Sequence, residues 1–165
     1  MEQLHSTPDQ WFKRFQIPSP VTGRCLPLSE IPNAALQLGA WGQGVVLAPG
    51  NQKIMTLPGW ELNQVSVDRR DWHLVGRVQG AVLRLHLRIW ANSLELPFAS
   101  KSDDPEQLFT LSPKVFQGAG SCLISMTMPP YNKLSWLPYY GKVNALNHSP
   151  ITLFAGASYQ QRESV

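Results

Sequence analysis

The sequence is short of most things that announce an enzyme. It has only two cysteines, Cys25 and Cys122, far apart and outside any CxxC or metal-ligand spacing. That removes a disulfide framework and a zinc-thiolate site, and leaves two buried thiols of a reducing cytosol as the reading. There is no Walker loop, no GxSxG and no HExxH. His86-Leu87-Arg88 has one histidine where an HxH metal strand needs two, so neither a metal nor another cofactor is expected. Charge is scarce, at 15% of residues, and no Lys/Arg block occurs. A net charge of +3 permits an acidic partner without specifying nucleic acid. No apolar run reaches the roughly 18 residues of a membrane span, and the N-terminus lacks a signal-peptide apolar core. The expected location is the cytoplasm.

What is present is turn chemistry. Fourteen prolines and twelve glycines in 165 residues favour short strands over long helices. Short apolar runs recur about every ten residues. They are GVVLAPG (44–50), the stretch around Lys53-Ile54-Met55, HLVGRV, GAVLRLHLRI, SCLISMTM (121–128) and ITLF (151–154). This is the spacing of an all-β antiparallel sandwich or barrel-like domain with short helical turns. One helical turn is expected at residues 34–38. ASKSDDPEQLFTLSPKVF reads as a polar surface loop followed by a short helix. Residues 131–140, YNKLSWLPYY, carry aromatics of the kind that pack cores and rims.

Residues 1–17 stand apart, and 18–165 read as one β domain. Trp11, Phe12 and Phe15 are interleaved with Lys13 and Arg14. The arm either packs on the domain or forms a short amphipathic helix able to touch anionic lipid.

The histidines are His5, His73, His86 and His148. His5 lies in the arm and His148 in the turn Asn147-His148-Ser149-Pro150, both read as solvated. His73 and His86 flank a turn signal at Gln79-Gly80. A hairpin folded there brings them towards each other, or leaves them on opposite faces if the register slips by one. In LRLHLRI, alternation puts Arg84, His86 and Arg88 on one face and Leu83, Leu85, Leu87 and Ile89 on the other.

Six segments, in order, carry a resemblance. Ser19-Pro20-Val21-Thr22-Gly23 looks like an opening "SPxxG". Pro27-Leu28-Ser29-Glu30-Ile31-Pro32 looks like "xxxEVP", and 42–49, GQGVVLAP, like "GDGxAIxP". Leu85-His86-Leu87-Arg88-Ile89 looks like "VHFGI", 118–128 like "VGDxLIxFD", and 149–154, SPITLF, like "TPVIxI". From about residue 18 the chain resembles the glucose-type enzyme IIA domain of the bacterial phosphoenolpyruvate-dependent sugar phosphotransferase system.

The resemblance implies an antiparallel β-sandwich of the duplicated hybrid motif type. It implies that His86 takes a phosphoryl group from the histidine phosphocarrier protein and passes it to a sugar-permease domain, a phosphohistidine step in sugar transport or its regulation. A nitrogen nucleophile suits that task because the phosphoramidate is readily passed on.

The departures are informative. The family's second active-site histidine falls at Arg70 or Asp71, and His73 is two or three residues late. Arg88 replaces a glycine, Arg84 replaces a docking-patch phenylalanine, and Gln43 replaces the aspartate of "GDG". The "PxDG" turn is degraded to Leu57-Pro58-Gly59-Trp60. Two alternatives follow. One is a phosphoryl carrier through His86, with His73 as a possible second histidine and Arg84, Arg88, Arg70 or Asp71 holding the phosphate. The other is a non-catalytic binding or regulatory module that presents Arg84, His86 and Arg88 to an acidic partner.

Overall fold

The structure, a computed structural model, describes residues 1–93 and 95–160. Strands dominate. In order they are β1 (Glu2–Gln3), β2 (Lys13–Ile17), β3 (Gly23–Pro27), β4 (Gln43–Pro49), β5 (Lys53–Met55), β6 (Trp60–Val65) and β7 (Asp71–Val78). There follow β8 (Ala81–Ala91), β9 (Ala99–Lys101), β10 (Gln107–Leu111), β11 (Cys122–Met128), β12 (Leu134–Pro138), β13 (Gly141–Val143) and β14 (Ile151–Ala155). Between β3 and β4 lie a single 3-10 turn, Leu28–Glu30, and one helical turn, α1 (Ala34–Gln37). Asn33 caps α1 by accepting the Leu36 N–H at 3.0 Å.

The strands form a seven-stranded sheet in the order β13-β3-β4-β11-β8-β7-β6, a four-stranded sheet β1-β12-β14-β2, and a three-stranded sheet β5-β10-β9. Every pairing is antiparallel except β1 with β12. None of these sheets closes on itself, so the architecture is a sandwich and not a barrel.

Two-residue periodicity decides which side of the large sheet meets the core. Leu83, Leu85, Leu87 and Ile89 of β8 are buried in the main core with Val45, Leu47, Ile124 and Met126. The opposite face carries a second, smaller cluster. There Ile31, Leu36 and Val46 pack with Trp41, Trp90 and Leu123. The turns after β3 therefore roof part of the outer face and leave the rest open. Both cysteines are free and buried. Burial pushes the thiol of Cys25 up to about 12 and that of Cys122 up to about 11, so neither is a ready nucleophile.

One expectation needs correction, and one open alternative is decided. Residues 99–111 do not form a surface loop leading to a helix. They form β9, a turn and β10, because Phe109 and Leu111 alternate with Thr110 and are wholly buried. Of the two readings of the arm, packing on the domain holds, and residues 13–17 form a strand and not an amphipathic helix. Phe15 and Ile17 point into the core while Lys13, Arg14 and Gln16 stay exposed, the period of a strand, and β2 pairs with β14. The residues from 161 onward lie outside the described part.

Candidate functional site

The β7–β8 hairpin turns at Gln79 and Gly80, with φ of +50° and +81°. Positive φ at both central positions is the type I′ pattern, whose twist matches the flanking strands. This turn fixes the register and sets His73 directly opposite His86. The Ile89 N–H donates to the Arg70 carbonyl at 2.9 Å, which makes residues 70 and 89 a hydrogen-bonded pair. Counting three positions along, 73 and 86 fall on a non-hydrogen-bonded pair, where side chains approach most closely. The imidazoles stack with centroids 4.4 Å apart and planes 11° from parallel. They belong to a row across four strands, Gln64, His73, His86 and Thr127.

The next row holds the charges. Asp71 pairs with Arg88 in register and lies diagonal to His86. His86 Nε2 is 2.7 Å from Asp71 Oδ1, and Arg88 Nη1 donates to both carboxylate oxygens, at 2.9 and 2.7 Å. All three side chains are at least four-fifths buried. Burial pushes the Asp71 carboxyl up, but the hydrogen bonds from His86 and Arg88 and their charges outweigh it and hold it below the ordinary carboxylate value. Asp71 is therefore ionised at neutral pH and can only accept hydrogen bonds. It follows that His86 Nε2 carries a hydrogen and donates it. While that bond stands, this nitrogen has no lone pair to offer.

Arg88 is held from its other side as well. Its guanidinium carbon lies 5.3 Å from the Trp41 ring centroid and 4.9 Å from that of Trp90. Trp90 is itself fixed by an Nε1–H bond to Ser125 Oγ at 2.8 Å. Arg88 is thus a structural cation. Arg84 is different. It is exposed, and its guanidinium makes no hydrogen bond or ion pair among the described residues. Only its backbone is tied, to Tyr131. The Arg84 N–H donates to the Tyr131 hydroxyl at 2.6 Å, and that hydroxyl donates back to the Arg84 carbonyl at 3.3 Å. The β8–β11 register would place Pro129 there, which has no N–H, so a side chain finishes the ladder.

An open cavity of about 660 Å³ covers these rows. His73, His86, Asp71, Arg84 and Arg88 line it together with Thr127, and Trp41, Met128, Pro129 and Pro130 supply its apolar wall. Of the residues singled out in the sequence, Arg70 does not line it. Its guanidinium lies 4.2 Å from the Phe98 ring centroid, and its backbone N–H is bonded to Ser66 and Asp68. His148 accepts the Asn144 N–H on Nδ1 at 2.7 Å and closes its own turn. Thr127, Trp41 and Tyr131 were not legible as site residues, because nothing in SCLISMTM, AWGQG or YNKLSW marks them as chemical. Among the described residues no group of three or more His, Cys, Asp and Glu is placed to hold a metal ion. Nor is any helix of these residues long and apolar enough to cross a membrane.

Burial lowers the His73 pKa from its ordinary value, and the neighbouring His86 lowers it further. A histidine with a depressed folded-state pKa binds protons later than its unfolded counterpart. Stability is therefore complete above the unfolded value of 6.5 and falls as pH drops through it towards the folded one. Asp71 loses its contribution only at lower pH, below the ordinary carboxylate value. Urea unfolding at pH 7.0 and again near pH 5 should show a loss that shrinks in His73→Gln by less than about 1 kcal/mol, since the ring is partly solvated. An identical loss in the variant would show that His73 does not sense the fold.

No protein-family model matches the chain, and no curated protein matches it in sequence. Among solved structures the chain is similar to the glucose permease IIA from Mycoplasma capricolum. The TM-score is 0.61 at 12% sequence identity, over 87% of this chain and 99% of that one. The two chains share a fold. At this identity the likeness establishes the sandwich and leaves the chemistry to the side chains.

Proposed function

We propose that this chain is a binding module built on the IIA fold. It meets its partner through the His86 face and does not carry a phosphoryl group. One observation carries the reading. The ring nitrogen at the outer end of the His86 side chain is bonded to an ionised carboxylate, which is in turn clamped by Arg88. A phosphoryl acceptor needs a free lone pair on a nitrogen that the donor can reach. Here Nε2, the outer nitrogen, is occupied by its bond to Asp71, and the free lone pair of the neutral ring is left on Nδ1, the nitrogen nearer the backbone.

The surroundings suit docking. Arg84 offers an uncommitted guanidinium to an acidic group on a partner. Leu38, which precedes the Gly39–Trp41 wall in sequence, and Val67, which follows Ser66, are exposed aliphatics. By likeness of fold, the partners to try first are a sugar-permease domain and the histidine phosphocarrier protein. An acidic regulatory protein is the alternative.

The second reading is a working phosphoryl carrier in sugar uptake, through His86. The directly stacked His73 favours it, since that ring could steady a phosphate. The two readings part in one reaction. The protein is incubated with phosphoenolpyruvate, enzyme I and the phosphocarrier protein, and its intact mass is measured. The binding-module reading expects no change. A gain of one phosphoryl group, absent in His86→Ala, would establish the carrier.

A further inference from the structure

The cavity over the two imidazoles is large enough for a metabolite, and its charges can be accounted for one at a time. Arg88 is committed to Asp71 and to two indole rings. His73 is held towards its neutral form by burial. Asp71 is committed to His86 and Arg88, so its charge and that of Arg88 offset each other in the wall. Arg84 alone is a lining cation with no partner for its guanidinium among the described residues. Glu61 shares its cross-strand row through Val75 but forms no ion pair with it. Thr127 adds a buried hydroxyl with no hydrogen-bond partner, in register with His86. The rest of the wall is mixed, with Trp41, Met128, Pro129 and Pro130 apolar and Gln64 and Ser66 polar.

This pattern selects a ligand class. One uncommitted guanidinium in a concave, partly apolar site favours one oxyanion, held bidentately. With Asp71 and Arg88 offsetting each other, Arg84 leaves one net positive charge in the wall, which matches a ligand with a single negative charge. The side of the wall formed by Trp41, Pro129 and Pro130 favours a ring or other planar apolar body. We propose that the cavity binds a small monocarboxylate with a flat apolar body, its carboxylate taken by Arg84. The inference rests on the reading that this site does not serve phosphoryl transfer, and it makes the module ligand-dependent. A bound carboxylate would lie under the docking face and alter what a partner meets there.

The test uses the full chain, labelled with nitrogen-15, at pH 7. Benzoate, benzamide and phenyl phosphate are titrated in turn. Benzoate should shift the amide signals of His73, Arg84 and Thr127 and the Trp41 indole signal saturably, with a dissociation constant in the millimolar range expected of so small a ligand. Benzamide, which has the same body without charge, should bind at least about tenfold more weakly. Phenyl phosphate should also bind more weakly than benzoate. Arg84→Gln, an exposed change that should leave the rest of the spectrum in place, should bring benzoate to the level of benzamide. Four outcomes would each overturn the proposal: no saturable shift with benzoate, equal binding of benzamide, indifference to Arg84→Gln, or tighter binding of phenyl phosphate. The phosphorylation assay reads the other claim separately. A protein that takes a phosphoryl group and still binds benzoate overturns only the functional reading. One that stays unphosphorylated and ignores benzoate overturns only this inference.

Discussion

Replacing Asp71 with alanine should lower the unfolding free energy by about 3 kcal/mol, read from urea denaturation at pH 7. The carboxylate accepts three hydrogen bonds, two from Arg88 and one from His86, in a place where all three side chains are mostly hidden from water. Removing it leaves the Arg88 guanidinium without the one counter-charge it has among the described residues. Breaking a buried pair costs more than the pair itself contributes, because one desolvated charge remains. The two indole rings over Arg88 soften the loss without abolishing it, since a π face is a poorer partner than a carboxylate. A second variant isolates the cause. In the Arg88→Met background the same Asp71→Ala change should cost less than half as much, because no cation is then stranded. Equal costs in the two backgrounds would show that the Asp71–Arg88 contact is not what holds this corner.

Gly44→Ala should be more damaging still. Gly44 lies on β4 opposite Thr127 of β11, the two strands at the middle of the large sheet. A Cβ at this position would sit 1.9 Å from the Met126 carbonyl oxygen and 2.9 Å from the Thr127 Cα. Both are backbone atoms, so no side chain can turn away to make room. The strands must separate or the ladder must shift, and either disrupts packing on both faces. The expected loss is about 3 kcal/mol or more, with low soluble yield and rapid amide exchange along β11. A variant with near-native stability and unchanged β11 protection would mean that the two strands have slack which the geometry denies. The same close approach accounts for the site. It holds β11 flat against β4, so that Thr127 stays in the row with His86.

Much of this fold can be read from spacing. Turn residues at intervals of about ten, and alternation in LRLHLRI, are enough to place β8 with its leucines inward. The segment from residue 99 misled because its acidic start, SDDPE, masks the alternation of QLFTL that follows. The arm stayed open between two readings because Trp11, Phe12 and Phe15 fit a helical stripe as well as a strand, and only pairing with β14 decides between them. The site was legible in part for a related reason. Sequence distance brings Asp71, His73 and His86 to one hairpin, but only register says which of 70 and 71 faces the imidazole. Strand alternation then allows one of them alone, and Asp71 is that one. Arg84 and Arg88 look equivalent in the sequence. In space Arg88 is consumed by Asp71 and two tryptophans, and Arg84 is left uncommitted. Trp41 reaches the site from a separate turn, which no local pattern could show.

The central claim is that Asp71 holds the outer nitrogen of His86 by its hydrogen. Long-range proton–nitrogen NMR of the imidazole at pH 7 tests it most directly. The account predicts that His86 Nε2 is protonated, with a slowly exchanging proton displaced to low field by the carboxylate, and that this signal loses its displacement in Asp71→Asn. A His86 ring whose Nε2 is unprotonated in the native chain would contradict it, and would return that nitrogen to the role of phosphoryl acceptor.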